Sequence, residues 1–302
     1  MLKSRLQMSF QSSGHTTSAL RALSYGSPLS KFKDDTDGIG FYEVVRDIEE
    51  HFEEKKAELI QNLKQLSRQI FRVDNVMISY TSSEDGLAPM EAAFREIKDT
   101  LYPELDGEEI PCVLHGRKRN EGFKTSSKVQ YVARVGNFID HGAQYHGALQ
   151  ILKVILSYDY LWQNVRVKGG AYGCMSNFNR IGEGYLISYR DPNLKKTMEV
   201  YEGVVDYLKN FTVDERDMTK YIIGTISNID RPMNPAAKGD RSMNLYMNHV
   251  SQEMIRTERS QILHAAQEDI RALAAVVEAM LKAEQICVIG SEEKIEEEKE
   301  MF

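Results

Sequence analysis

One stretch of the sequence combines residue types that can act on an amide: RVKGGAYG, residues 166–173, with Arg166 and Tyr172 on either side of two adjacent glycines. A guanidinium can fork onto a peptide carbonyl, and a phenol can donate a hydrogen bond to an oxygen on which negative charge develops. The glycines let the backbone between them turn tightly or take positive φ. Spacing alone leaves a second reading open, in which Arg166 pairs with a carboxylate and Tyr172 packs at the start of a strand.

Other chemistries lack their residues. The seven histidines are His15, His51, His115, His141, His146, His249 and His264, and none sits in H-E-x-x-H or H-x-x-E-H, the spacings that put two imidazoles and a glutamate on one helical face. The closest pair, His141 and His146, would diverge by about 140° on a helix. His51 sits beside Glu53 and Glu54 on a helical face with no second histidine, so both groups read as structural. There is no G-x-S-x-G, no Walker A motif, and no G-x-G-x-x-G after a strand. Cys112, Cys174 and Cys287 form no C-x-x-C, which argues against a disulfide framework or zinc ribbon and for small buried residues in a reducing compartment.

The bulk properties bound the partners. The 302 residues carry a net charge of −7, with 42% hydrophobic and 27% charged residues, the balance of a soluble globular chain. An acidic chain without a long Lys/Arg stripe is suited neither to nucleic acid nor to an anionic membrane surface. The basic segment HGRKRN (115–120) reads as a hairpin tip. No run of 18 apolar residues occurs, and the first fifteen residues lack the apolar core of a secretory signal. A cytoplasmic location is expected, with the mitochondrial matrix as the alternative.

Periodicity then places the turn among its elements. One or two helices are predicted over 2–25, followed by a Gly/Pro/Ser/Asp-rich loop to Gly40 and a long amphipathic helix over 41–71. NVMISYT (75–81) reads as a strand and 88–101 as a helix. The segment 102–111, rich in acids with two prolines and a glycine, reads as a linker. Beyond it, 111–116 and 128–136 read as strands joined by a charged hairpin tip over 117–126. An apolar helix over 142–162 leads into RVKGGAYG. The strands 171–178 and 184–190 form a hairpin, and helices over 193–210, 214–229, 239–257 and 267–283 precede a last strand at 285–290. This order is α+β, an antiparallel sheet with helices on one face. Both halves end with a long helix, a short apolar strand and a Ser/acid stretch, which suggests two copies of one unit, the first lacking its hairpins.

The stretch NVRVKGGAYGCMSNFNRIGEGYLISYRDPN, together with SFQSSGHTTSALRALSY and NVMISYT, resembles the C-terminal half of the presequence-protease branch of the pitrilysin/insulinase superfamily of inverted-zinc peptidases. The resemblance covers essentially the whole chain. It implies that residues 1–102 are the C-terminal part of a preceding peptidase-like α+β unit and 111–302 a complete C-terminal one. It implies zinc in the complete enzyme, held by an N-terminal half through H-x-x-E-H and a distal glutamate, with none bound by this chain. There, zinc-bound water would attack the amide while Tyr172 donates to the oxyanion and Arg166 holds the neighbouring carbonyl. The implied partners are unstructured peptides and the zinc-binding half, with self-association of the chain alone through uncovered helix faces. Without H-x-x-E-H the chain alone is expected to be inactive. The alternative is a non-catalytic scaffold or partner subunit that binds peptides without cleaving them.

Overall fold

The computed structural model describes residues 2–103, 114, 116–117 and 119–302. The chain divides into two compact units. The larger gathers residues 1–46, 113–230 and 256–302, and the smaller 47–112 and 231–255. This division by contacts differs from one by chain order at 102–111, because residues 2–46 lie with the C-terminal part.

Helices α1 (Leu2–Ser12), α2 (Gly14–Leu23), α3 (Pro28–Asp37) and α4 (Ile39–Glu50) open the chain. The loop expected up to Gly40 is therefore mostly α3. The signal that was missed is local: the Ser27 hydroxyl accepts from the Ser30 amide with Pro28 in the first turn, a helix start rather than a loop. The single helix expected over 41–71 is α4 and then α5 (Phe52–Ile70), broken at His51.

In the smaller unit, α5 is followed by α6 (Leu87–Lys98), and no residue of either is buried. The strand expected at 75–81 is not formed. Residues 76–81 join no ladder, and Val76, Met77 and Ile78 are exposed. A β-rich composition needs a neighbouring strand to become a strand, and none stands beside this segment among the described residues.

The larger unit is built on a five-stranded sheet of β1 (Glu121–Thr125), β2 (Tyr131–Asn137), β3 (Gly173–Phe178), β4 (Glu183–Tyr189) and β5 (Gln285–Ser291), ordered β1-β5-β2-β4-β3. All neighbours are antiparallel except β1 and β5. The β3–β4 hairpin is as expected, turning at Gly182 with φ +90°. The hairpin of 111–116 with 128–136 is corrected in two ways. Four of the six residues of its first arm lie outside the described residues, and the supposed tip contains β1, which pairs with β5 and not with β2. EGFKT carries charges because it is an edge strand, with Lys124 paired to Glu296.

The remaining helices are α7 (Ala148–Tyr158), α8 (Lys195–Glu202), α9 (Val204–Lys209), α10 (Glu215–Ile229), α11 (Pro235–Met247), α12 (Gln252–Leu263), α13 (Gln267–Leu281) and α14 (Glu292–Glu297). The class is α+β with a mainly antiparallel sheet, as expected. Alternate residues of the central strands face two different layers. Val132, Leu186, Ile286 and Val288 join Leu149, Leu152 and Ile155 of α7 and Leu273, Val277 and Met280 of α13 in the main core. Ala133, Val135, Ile187 and Cys287 face Ala19, Ala22 and Leu23 of α2. The expected helical layer is thus α7 and α13, and α2 covers the opposite face, where two alanines permit close approach. Burying each large aliphatic side chain in such a core contributes about 1.5–3 kcal/mol.

Candidate functional site

Helix α7 ends at Tyr158, and the chain then widens into a π-helical turn over Trp162–Val167. The Lys168 amide donates to the Gln163 carbonyl at 3.0 Å, five residues back. Such turns are rare and concentrate at functional positions. Gly170 ends the turn at φ +83°, a left-handed helix stop that favours glycine. Its amide donates to the Arg166 carbonyl at 2.9 Å, and that of Ala171 to the Val165 carbonyl at 3.1 Å. A Cβ on Gly169 would overlap the Val165 carbonyl oxygen, so this position requires close backbone approach.

The residues after β4 brace the turn. The Asn193 side-chain amide donates to the Gly169 carbonyl at 2.6 Å. Asp191 orients that loop, accepting from the Asn193 amide at 2.9 Å and the Thr197 hydroxyl at 2.7 Å. Burial raises the Asp191 carboxyl above its usual range, although these hydrogen bonds oppose the shift. Backbone bonds in both directions between Asp191 and Gln130 (2.7 and 2.8 Å) fix the loop to the approach to β2.

Arg166 is exposed, with its guanidinium carbon 3.9 Å from the centroid of the Trp162 ring. No carboxylate pairs with it among the described residues. Tyr172 is 70% exposed at the entrance to the edge strand β3, its amide donating to the Tyr189 carbonyl at 3.0 Å. Neither half of the open alternative holds: Arg166 is not tied to an acid, and Tyr172 is not packed away. The structure brings both to one braced turn. Arg166 lies along Trp162, while Tyr172 borders an open cleft of about 570 Å³.

The Ala148 amide donates to His146 Nδ1 at 3.2 Å, and His51 sits at the break between α4 and α5. Cys287 is buried and Cys174 half-buried, both as free thiols, and Cys112 lies outside the described residues. Burial pushes the Cys174 thiol up to about 11, the Arg166 charge opposing and Asp191 adding, so it is not a thiolate at neutral pH. Among the described residues no group of three or more His, Cys, Asp and Glu side chains is placed to hold a metal ion.

Sequence reasoning missed Trp162, Arg190 and the bracing residues Asp191 and Asn193. The Asp-Pro-Asn run after β4 was the available signal, a turn sequence whose side chains bond their own backbone. The π turn has no compositional mark.

Fold and turn together define an α+β domain with a braced glycine turn at the entrance to its edge strand. Residues 120–292 match the PreP C-terminal domain family, and the chain belongs to it. Protein HypA of Clostridium perfringens is 40% identical over 301 residues, covering 99% of this chain and 30% of that protein. Presequence protease 1, chloroplastic/mitochondrial, of Arabidopsis thaliana is 27% identical over 295 residues, covering 97% of this chain and 27% of that protein. The chain thus spans about three-tenths of the length of these relatives. A solved peptidase M16 inactive domain from Pseudomonas fluorescens has a TM-score of 0.43 at 17% identity, covering 67% of this chain and 50% of that chain. The family assignment rests on the sequence matches.

Proposed function

We propose that this chain is the substrate-gripping part of a zinc-dependent metalloendopeptidase of the presequence-protease type, acting on unstructured peptides. The observation that carries the reading is the braced turn that holds Arg166 and Tyr172 exposed and free of acidic partners. The Tyr172 hydroxyl donates a hydrogen bond to the carbonyl oxygen of the scissile amide as charge develops there. The Arg166 guanidinium, held against the Trp162 ring, donates to a neighbouring peptide carbonyl and fixes the register of the chain. Zinc belongs to the complete enzyme and is held outside the described residues, by the complementary half. In this reading residues 1–102 derive from one peptidase-like unit and 111–302 from the next. The locations printed in the names of two relatives, chloroplastic/mitochondrial and mitochondrial, are consistent with the mitochondrial alternative. Among the described residues no helix is long and apolar enough to cross a membrane.

The test is Tyr172→Phe in the complete enzyme. Loss of one such donor lowers turnover by about 10²–10³-fold, and the metal content should be unchanged. Unchanged turnover overturns the assigned role. Peptide binding with no turnover in the wild-type assembly supports the scaffold reading instead.

A further inference from the structure

Arg190 follows β4 with φ +48°, a left-handed conformation that a residue with a bulky side chain seldom adopts. The backbone strain is maintained by the loop already described, since Asp191 is hydrogen-bonded on both sides of its peptide to Gln130. The consequence is the direction of the guanidinium, which lies 5.4 Å from the centroid of the Tyr189 ring and 6.0 Å from that of Tyr172. Its charge also interacts with Tyr131, whose hydroxyl donates to the Gln11 carbonyl of α1 at 2.6 Å. Three tyrosines thus surround a cation that has no carboxylate partner among the described residues.

This cation faces the cleft that Tyr172 borders. Arg190 is the one charged residue among those lining the cleft, and none of them is acidic. The other walls are apolar or hydroxyl-bearing apart from Gln11, and include Met8, Phe10, Ser127 and Tyr131. A second cleft of about 470 Å³ shares Phe10, Gln11, Thr125, Ser126 and Ile289 with the first, so the groove continues along α1 past the ends of β1 and β5. Its length suits a run of extended chain rather than a single small anion; the first cleft, with Arg190 as its one charge, suits one carboxylate, and the second adds Glu43, Arg46 and Lys124 farther along.

We infer that this groove is a subsite for the substrate peptide, in which Arg190 receives an acidic side chain of the segment leading away from Tyr172. The inference rests on the reading of Tyr172 as a substrate contact and adds a preference to it: Asp or Glu at one position, flanked by apolar residues that lie against Phe10 and Tyr131. Arg190 is then a specificity-determining residue and not a catalytic one. Its tyrosine surround keeps the guanidinium extended and supplies stacking in place of an ion pair.

The test is fluorescence anisotropy with the 302-residue chain. The probes are unstructured peptides with amidated C-termini that carry a single Glu, moved along an otherwise uncharged sequence, and the same peptides with Gln. The expected result is an acid preference of about 2- to 5-fold at one position, the size of a part-exposed ion pair, shrinking as salt is raised. Arg190→Gln should abolish the preference without weakening the Gln peptides, and Arg190→Lys should retain part of it. Equal binding of Glu and Gln peptides at every position overturns the inference, as does a preference that survives Arg190→Gln. A preference that appears only with a free C-terminal carboxylate also overturns it. Arg166→Ala and Tyr172→Phe separate the two readings. If they weaken the Gln peptides while no acid preference exists, the grip stands and the subsite does not. If the Arg190-dependent preference exists and these variants bind normally, the subsite stands and the grip does not.

Discussion

Asp34 is the residue whose loss should cost the larger unit most for its size. Its carboxylate is fully buried, and Oδ2 lies 2.7 Å from the Arg21 guanidinium. Oδ1 accepts from the Ile39 amide at 3.0 Å, and Oδ2 from the Gly40 amide at 3.2 Å, two donors that the start of α4 leaves without intrahelical acceptors. Arg21 is held on its other side by Glu121 of β1, at 2.7 and 3.0 Å, and the Tyr25 hydroxyl donates to the same carboxylate at 2.7 Å. Asp34→Ala leaves a buried guanidinium with one close carboxylate instead of two and strands both amides. Breaking a buried pair costs about 3–5 kcal/mol, and each stranded amide about 1–3 kcal/mol. These losses share one site and do not add, so about 3–5 kcal/mol is expected, against a total stability of about 5–15 kcal/mol. Asp34→Asn keeps an acceptor and should lose less. The chain has one tryptophan, Trp162 in the larger unit, so urea unfolding followed by its fluorescence isolates the right transition. A loss below about 1 kcal/mol for Asp34→Ala, or equal losses for Ala and Asn, refutes the reasoning.

The same network sets a pH dependence. Burial pushes the Glu121 carboxyl up, but hydrogen bonds from Arg21 and Tyr25 outweigh it and hold the group below its usual range. A lowered carboxylate contributes stability that is fully present above its unfolded value, about 4.3, and is lost as pH falls through the folded one. Asp191, raised by burial, has the opposite sign, its cost being relieved on acidification. The urea midpoint should therefore fall more gently below about pH 4.3 in Glu121→Gln than in the wild type, and an unchanged profile excludes Glu121 as a source. At the turn, Gly170→Ala should cost roughly 1–2 kcal/mol for left-handed backbone alone, because its Cβ would meet only Pro192 at 3.5 Å. Gly169→Ala should cost more and also weaken peptide binding, since it displaces the Val165 carbonyl; the reverse order in unfolding midpoints contradicts this. Ile60, Leu63, Leu66 and Ile70 form an exposed apolar stripe on α5, so the chain should associate with rising concentration in light scattering. Leu63→Lys with Leu66→Lys should suppress it, and a monodisperse wild-type monomer at all concentrations contradicts the prediction.

The hairpin β3–β4 and strand β5 were legible in the sequence because their period-two patterns are bounded by glycine and charge. The glycine turn was legible because two adjacent glycines between a helix and a strand have few other uses. What was hidden depended on neighbours distant in sequence. Residues 76–81 have strand composition without a ladder, whereas EGFKT has weak strand composition and a ladder supplied by residues 287–291. Arg190 reads as the charged end of the strand 184–190, and only the tertiary bonds at Asp191 turn it toward Tyr172. Nothing in HFEEK marks the break at His51, since the apolar stripe runs through it.

The position of β5 has a consequence for how the larger unit is made. It is the strand between β1 and β2, and it comes from residues 285–291, behind α7 to α13 in chain order. Until those seven residues leave the ribosome, β1 has no neighbour and β2 has only one. The hydrogen-bonding edges of both that face β5 wait without a partner, and so does the part of the floor under α2 that Cys287 supplies. Sheet closure is therefore a late event in synthesis, and the interval before it is when this domain most needs shielding from other chains.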